Sequence, residues 1–216
     1  MDNRLLPALK RYFWDLDVLM DWEIGFDASG PDWVEIHFPY RSIDGKAVNI
    51  KTIRYGLDLK RKKDGTRFIG SGIPVPFYGV HQINQAGNKG KPIALVESEK
   101  TVLTLYRWMP KYVWLASGGT SGVTKEKARD LTGRDILIYF DADEPGRKGA
   151  EKAAQLLTQY GCRVKIMDPF PDRVDGWDLA DEFLRVHDSW PENNERLIGD
   201  AYEWTDWTVL SSGGEK

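Results

Sequence analysis

Several common devices are scarce or missing in this 216-residue chain. It has one cysteine, Cys162, so no internal disulfide is possible. That cysteine and three scattered histidines, His37, His81 and His187, do not make the tetrahedral nitrogen and sulfur set of a structural zinc site. No zinc is therefore expected, and Cys162 reads as a small buried residue at a strand start. No apolar run approaches the length of a membrane span. The first twenty residues carry scattered charge and no secretory cleavage pattern, so a cytoplasmic protein without a membrane partner is the expectation. No Gly-x-x-x-x-Gly-Lys-Ser/Thr loop is present, so these residues supply no helicase motor. A large charge of one sign is also missing: the net charge is −3.

The charge is unevenly placed. Eight basic residues lie from Lys46 to Arg67: Lys46, Lys51, Arg54, Lys60, Arg61, Lys62, Lys63 and Arg67. Acidic residues dominate from Asp168 onward. The basic stretch is interleaved with Tyr40, Tyr55 and Phe68. Cations that track phosphates, with aromatics for stacking on bases, are the makeup of single-strand binding. The competing reading is an ordinary solvated hairpin tip at "KRKKDG".

Two textures divide the chain. From about residue 33 to 83, "WVEIHFPYR", "AVNIKTIRY" and "RFIGSG" read as strands, joined by "SIDGK" and "KKDGT", whose Asp-Gly pairs signal hairpins. One or two short helices are expected within 4–22. From residue 92 strands and helices alternate: "PIALVES", helix "EKTVLTLYRWM", "YVWLAS", glycine loop "SGGTSG", helix "TKEKARDL" capped by Thr124, "DILIYF", helix "PGRKGAEKAAQLLTQYG", then "RVKIMDP". Such alternation predicts a mostly parallel four-stranded sheet with flanking helices, an α/β unit. Its smaller α+β neighbour has antiparallel strands. We place an entry and basic subdomain at 1–85, the α/β domain at 92–187, and an acidic extension at 188–216 with a disordered end. The polar "INQAGNKGKP" is the linker.

Function in open α/β sheets gathers at the carboxyl ends of the strands. Glu97 ends the first strand of this unit, Asp141 and Asp143 end the third, and "VDGWDLADEF" follows the fourth. Oxygen donors of this kind suit a hard divalent cation, magnesium or manganese. The competing role is capping of helices and turns. The placement favours metal for Glu97, Asp141, Asp143 and Asp178, and divides evenly for Asp175 and Asp181. Lys100, Arg147 and Lys148 open helices, where cations are disfavoured by the dipole, so phosphate nearby is one explanation for them.

"ALVESEKTVLTLYRW", "ASGGTSG", "IYFDADEPGRKGAEKAA" and "DGWDLADEF" together resemble the successive motifs of TOPRIM domains, and of bacterial and phage DNA primases in particular. "FPYRSIDGKAVNIKTIRY" and "RFIGSGIPVPFYGVHQI" are similar to the basic subdomain that precedes TOPRIM in primase catalytic cores. The resemblance covers roughly residues 4–185. It implies a first-motif Glu at Glu97, the Asp-x-Asp at Asp141 and Asp143, and a later acidic ligand at Asp178. It implies a glycine loop at Gly118 and Gly119, and nucleic-acid contacts at Lys51, Arg54 and Arg67, beside which Tyr55 of the interleaved aromatics is the candidate for stacking on a base. It also implies magnesium-dependent primer synthesis from nucleoside triphosphates on single-stranded DNA, in phage or mobile-element replication, with a replicative helicase or replication initiator as partner. Primases of this type carry a zinc-binding domain that this chain does not supply. A TOPRIM nuclease, or a single-strand-binding accessory protein with weak catalysis, stays open beside the primase.

Overall fold

The computed structural model describes residues 9–10, 16–27, 30, 32–57, 60–70 and 75–188. Within the span expected to hold entry helices, a helix α1 is described at Asp17–Asp21. The extension beyond Asp188, including its expected disordered end, lies outside the described residues. No helix among the described residues is long and apolar enough to cross a membrane.

The first sheet is antiparallel: β1 (Gly25–Asp27), β2 (Trp33–Arg41), β3 (Ala47–Gly56) and β4 (Arg61–Gly70), paired in that order. β2 and β3 fall where the β-branched and aromatic runs place them. They are joined by the "SIDGK" turn, where Ser42 N–H donates to Lys46 O and Gly45 takes a φ of 84° that favours glycine. The expected second turn at "KKDGT" is corrected. The chain reverses between Gly56 and Lys60, where Gly56 N–H meets Lys60 O at 2.8 Å, and β4 runs straight through "KKDGT". The glycine there serves packing. A Cβ on Gly65 would stand 2.4 Å from Arg54 Cβ, beside a register irregularity between Ile53 and Tyr55.

The second sheet is parallel, with β5 (Ile93–Val96), β6 (Val113–Ala116), β7 (Asp135–Ile138) and β8 (Arg163–Ile166) in the order β6-β5-β7-β8. β5 and β6 are buried at every position, as continuous apolar strands covered on both faces must be. The helices start on side-chain caps. Ser98 accepts from Thr101 N–H for α2 (Glu99–Leu105), and Thr124 accepts from Lys127 N–H for α3 (Lys125–Arg129). Asp143 caps α4 (Glu144–Gln159), which has Pro145 in its first turn and is followed by Gly161 at φ 77°. The last helix, α5, spans Leu179–Asp188. A 3-10 turn at Val80–Asn84 runs into the expected linker, whose Ile83 is buried, and a second, Ala86–Asn88, lies within it.

Period-two alternation decides which core each strand residue enters. Ile93 and Leu95 face one cluster with α4's Ala150, Ala153 and Leu157, and Cys162 lies in it too. Ala94 and Val96 face the other. That second cluster also holds Val34, Ile36, Phe38 and Tyr40 of β2 and Ile53 and Tyr55 of β3, so the two sheets share one apolar core. Tyr78 knits them further. It bridges to Ala116 at the free edge of β6 and stacks on Trp22 at 5.0 Å.

α4 presses on the glycine loop. A Cβ on Gly149 would fall 2.4 Å from Thr120 Cγ2 and 2.8 Å from Thr120 O. An interior helical Gly→Ala change ordinarily stabilises by about 1 kcal/mol. Gly149→Ala is expected to do the reverse, since overpacking costs about 1–3 kcal/mol and each kcal/mol is worth roughly 2–4 °C at this chain length. A thermal melt followed by circular dichroism reads the sign directly.

Candidate active site

The strand order puts β5 between β6 and β7, so the connections leave β5 in opposite directions and open a crevice beyond its carboxyl end. Glu97 stands there, one residue past β5. Its Oε1 accepts from Asp141 N–H at 3.2 Å and its Oε2 from the Thr120 hydroxyl at 2.9 Å. Asp141 and Asp143 follow β7. Asp143 Oδ1 accepts from Gly146 N–H at 2.7 Å and so caps α4. The loop before α5 is pinned to the same segment, because Ala142 N–H donates to Trp177 O and Gly176 N–H to Ala142 O. That contact delivers Asp178, whose Oδ2 accepts from the Thr101 hydroxyl at 2.6 Å and whose Oδ1 accepts from Asp181 N–H at 2.8 Å. Capping and site-building are therefore performed by the same carboxylates.

Three of these carboxyls, Glu97, Asp141 and Asp181, are harder to ionise than free ones. Burial pushes the Asp141 carboxyl up to about 8, and the charges of Glu97, Asp178, Asp143 and Asp181 push the same way. Burial also raises Glu97; bonds from Thr120 and Asp141 N–H offset part of that, and the charges of Asp143 and Asp178 add to it. Asp181 is raised by burial and by Asp178, with Lys100 and Arg173 acting against the shift. As the side chains stand, no group of three His, Cys, Asp or Glu among the described residues is arranged to hold a metal ion. The donor set nevertheless fits one. It is all oxygen, comes from three loops, and holds carboxylates whose mutual repulsion a hard dication relieves.

The cleft above this edge has a volume of about 330 Å³. Glu97, Asp141, Asp178 and Asp181 line it, and Gly176, whose added Cβ would lie 3.4 Å from Asp143 Oδ2, brings Asp143 to its border. Lys51, Lys60, Arg61 and Lys100 are also in its wall, with Tyr55, Gly118 and Gly119. The glycines have φ of 87° and 135°. Lys51 is only 4% exposed, and its ammonium is paired to Glu99 at 2.7 Å.

The remaining sequence candidates sit elsewhere. Arg54 and Arg67 are not in the cleft wall. Strand alternation turns them to the other face of the antiparallel sheet, where Arg67 clasps buried Glu35 at 2.6 and 2.8 Å and Arg54 reaches it at 3.3 Å while stacking on Trp33. Arg147 pairs with Asp168 at 3.0 Å and Lys148 with Glu144, and neither lines the cleft. Asp175 pairs with Arg173, which stacks on Trp177 at 3.8 Å. Sequence reasoning missed Thr101, Thr120, Glu99 and Lys127. A threonine in the first turn of a helix or in a loop carries no signal of which carboxylate it will meet, and a lysine on a short helix looks solvated.

With this geometry in view, the class of protein is defined: the fold is that of a TOPRIM-containing DNA primase catalytic core. The E. coli primase catalytic core matches with a TM-score of 0.61 over 85% of this chain and 69% of that one, at 18% identity. The primase fragment of the bacteriophage T7 primase-helicase protein matches at 0.58 over 80% and 66%, at 23% identity. The DnaG primase catalytic domain in its ssDNA complex matches at 0.62 over 85% and 68%, at 19% identity. In sequence, 125 residues are 34% identical to a DNA primase of Geobacillus stearothermophilus. That match takes in 57% of this chain and 19% of the primase, so the chain spans about a fifth of that relative's length. The chain belongs to the family described as a domain of unknown function, DUF6371, whose profile matches residues 16–142.

The raised Asp141 carboxyl has a stability consequence. Its folded value of about 8 lies above the ordinary 3.8, so between these values the folded state holds the extra proton. Stability of the metal-free protein is therefore expected to fall as pH rises from about 4 to about 8. Asp141→Asn removes one member of the repelling set. Melting curves in chelator should show the variant less sensitive to pH over that range and, at pH 8.5, more stable by on the order of a few degrees.

Proposed function

We propose that this chain is a metal-dependent, primase-type nucleotidyltransferase that makes short primers on single-stranded DNA. One observation carries the reading. In a primase-core fold, carboxylates from three separate loops converge at the sheet's switch point, in one cleft that also has Lys60, Arg61 and Lys100 in its wall. Acid for cations and base for phosphates is the division that joining a nucleoside triphosphate to a 3′ hydroxyl requires.

Glu97, Asp141, Asp143 and Asp178 are the residues that would hold magnesium or manganese. A dication bound there would supply charge neutralisation on the triphosphate and on the departing pyrophosphate, and would acidify the attacking hydroxyl. The chain's own groups do the rest. Thr120 and the Asp141 amide orient Glu97, and Thr101 orients Asp178. The side-chain-free Gly118–Gly119 turn admits a phosphate close to backbone, and Lys60, Arg61 and Lys100 meet polyphosphate charge. On the outer face, two guanidiniums share the single Glu35 carboxylate, leaving net positive charge at Arg54 and Arg67 for phosphates of the template. Exposed Phe68 on β4 offers a stacking surface at that sheet's edge. The likeness to the phage primase-helicase fragment supports a helicase as the class of partner, in phage or mobile-element replication.

The test is a synthesis assay with single-stranded templates, ribo- or deoxynucleotides, and magnesium or manganese. Template-dependent oligomers are expected, reduced by on the order of a hundredfold or more in Asp141→Ala. Shortened templates without products would instead indicate a nuclease, and binding with neither reaction an accessory protein. Arg54→Ala with Arg67→Ala should weaken single-strand binding and flatten its salt dependence.

A further inference from the structure

Three charged side chains are buried beside the glycine loop, and none is given a task by the chemistry above. Glu99 is 1% exposed, Lys51 4% and Lys127 8%. Long charged side chains are almost never buried to this degree unless each charge has partners. Lys51 Nζ donates to Glu99 Oε1 at 2.7 Å and lies 3.4 Å from Gly118 O. The Tyr40 hydroxyl donates to the same Glu99 oxygen. Lys127 Nζ donates to Ser117 O at 2.8 Å and lies over the Phe77 ring at 5.3 Å. Two buried ammonium groups, one from β3 and one from α3, thus close on successive carbonyls of one loop.

That loop leads directly to Glu97. Ser117 N–H donates to Val96 O, and Gly118 N–H donates to the Glu97 carbonyl. Ser117 Oγ donates to Gly119 O at 2.9 Å, tightening the turn. Two residues on from Gly118, the Thr120 hydroxyl donates to Glu97 Oε2. Behind Thr120 there is no slack, because Gly149 of α4 is packed so closely that a Cβ would clash with it.

We infer that Lys127, braced by the Lys51–Glu99–Tyr40 cluster, is a positioning residue that grips the glycine loop and, through Thr120, holds the Glu97 carboxylate in the orientation that receives a divalent cation. The inference rests on the metal-binding reading of Glu97 given above. It reassigns Lys51 from a nucleic-acid contact to a brace between the antiparallel sheet and the acidic edge. The burial of these charges is offset by their own partners: Lys51 and Tyr40 on Glu99, and Lys127 on Ser117 O and the Phe77 ring.

The probe is Mn²⁺ alone, titrated into the full chain and followed by the electron paramagnetic resonance of the free ion. Lys127→Met and Thr120→Val are expected to weaken Mn²⁺ binding roughly 10- to 100-fold, the usual consequence of losing a group that orients a ligand. Thr120→Ser keeps the hydroxyl and should restore most of the affinity. Thermal melts identify any variant that has lost its fold; if Lys127→Met is one, Lys127→Arg replaces it, and wild-type affinity in a folded Lys127 variant also overturns the inference. Wild-type affinity in folded Thr120→Val overturns the inference, as does equal weakening in Thr120→Ser. If wild type itself binds no Mn²⁺, the metal reading of Glu97 fails and takes this inference with it; if only the variants match wild type, that reading stands and the positioning role falls.

Discussion

Like-charge repulsion among Glu97, Asp141, Asp143, Asp178 and Asp181 is the constraint around which this molecule is arranged. Burial itself displaces the Asp141 carboxyl furthest from its ordinary value, and the neighbouring charges add to that displacement. Nothing in apolar packing favours such a cluster, so the surrounding structure must hold it. It does so with short-range donors: the Asp141 and Gly146 amides, the Thr101 and Thr120 hydroxyls, and the Asp181 amide. Each donor comes from an element whose position the parallel sheet fixes. Helix caps thereby become site geometry, because Asp143 both starts α4 and borders the cleft.

The antiparallel sheet contributes more than a basic surface. Its inner face enters the same apolar cluster as β5, β6 and α2. Through Tyr40 and Lys51 it also places a hydroxyl and an ammonium on Glu99. A buried ion pair of this kind is seldom a large source of stability. It is directional, however, and it crosses between the two sheets beside the glycine loop. The basic and acidic sides of the cleft are therefore held in register by polar contacts as well as by apolar burial.

Much of this was legible in the sequence. The alternation of apolar runs and helical stretches gave the parallel sheet, and "SIDGK", Thr124 and Pro145 marked a turn and two helix starts by their local chemistry. The acidic residues that line or border the cleft were legible too, since strand ends are where an α/β sheet exposes function. What escaped was set by long-range contacts. "KKDGT" reads as a turn, but Gly65 is there because Arg54 lies across it. Arg54 and Arg67 read as partners of Lys51, but a strand's period of two sends them to the opposite face. Lys51 reads as a nucleic-acid contact, and nothing near it in sequence announces Glu99, 48 positions away. Thr120 is indistinguishable from any loop threonine until the fold brings it to Glu97.

A divalent cation seated among these carboxylates would relieve their repulsion. The most direct measurement is anomalous diffraction from crystals of this chain soaked in Mn²⁺. The account predicts a manganese peak at the carboxyl end of β5 and β7, roughly 2 Å from oxygens of Glu97 and Asp141. Saturating Mn²⁺ with no peak there, or with ordered metal only at other carboxylates, would contradict it.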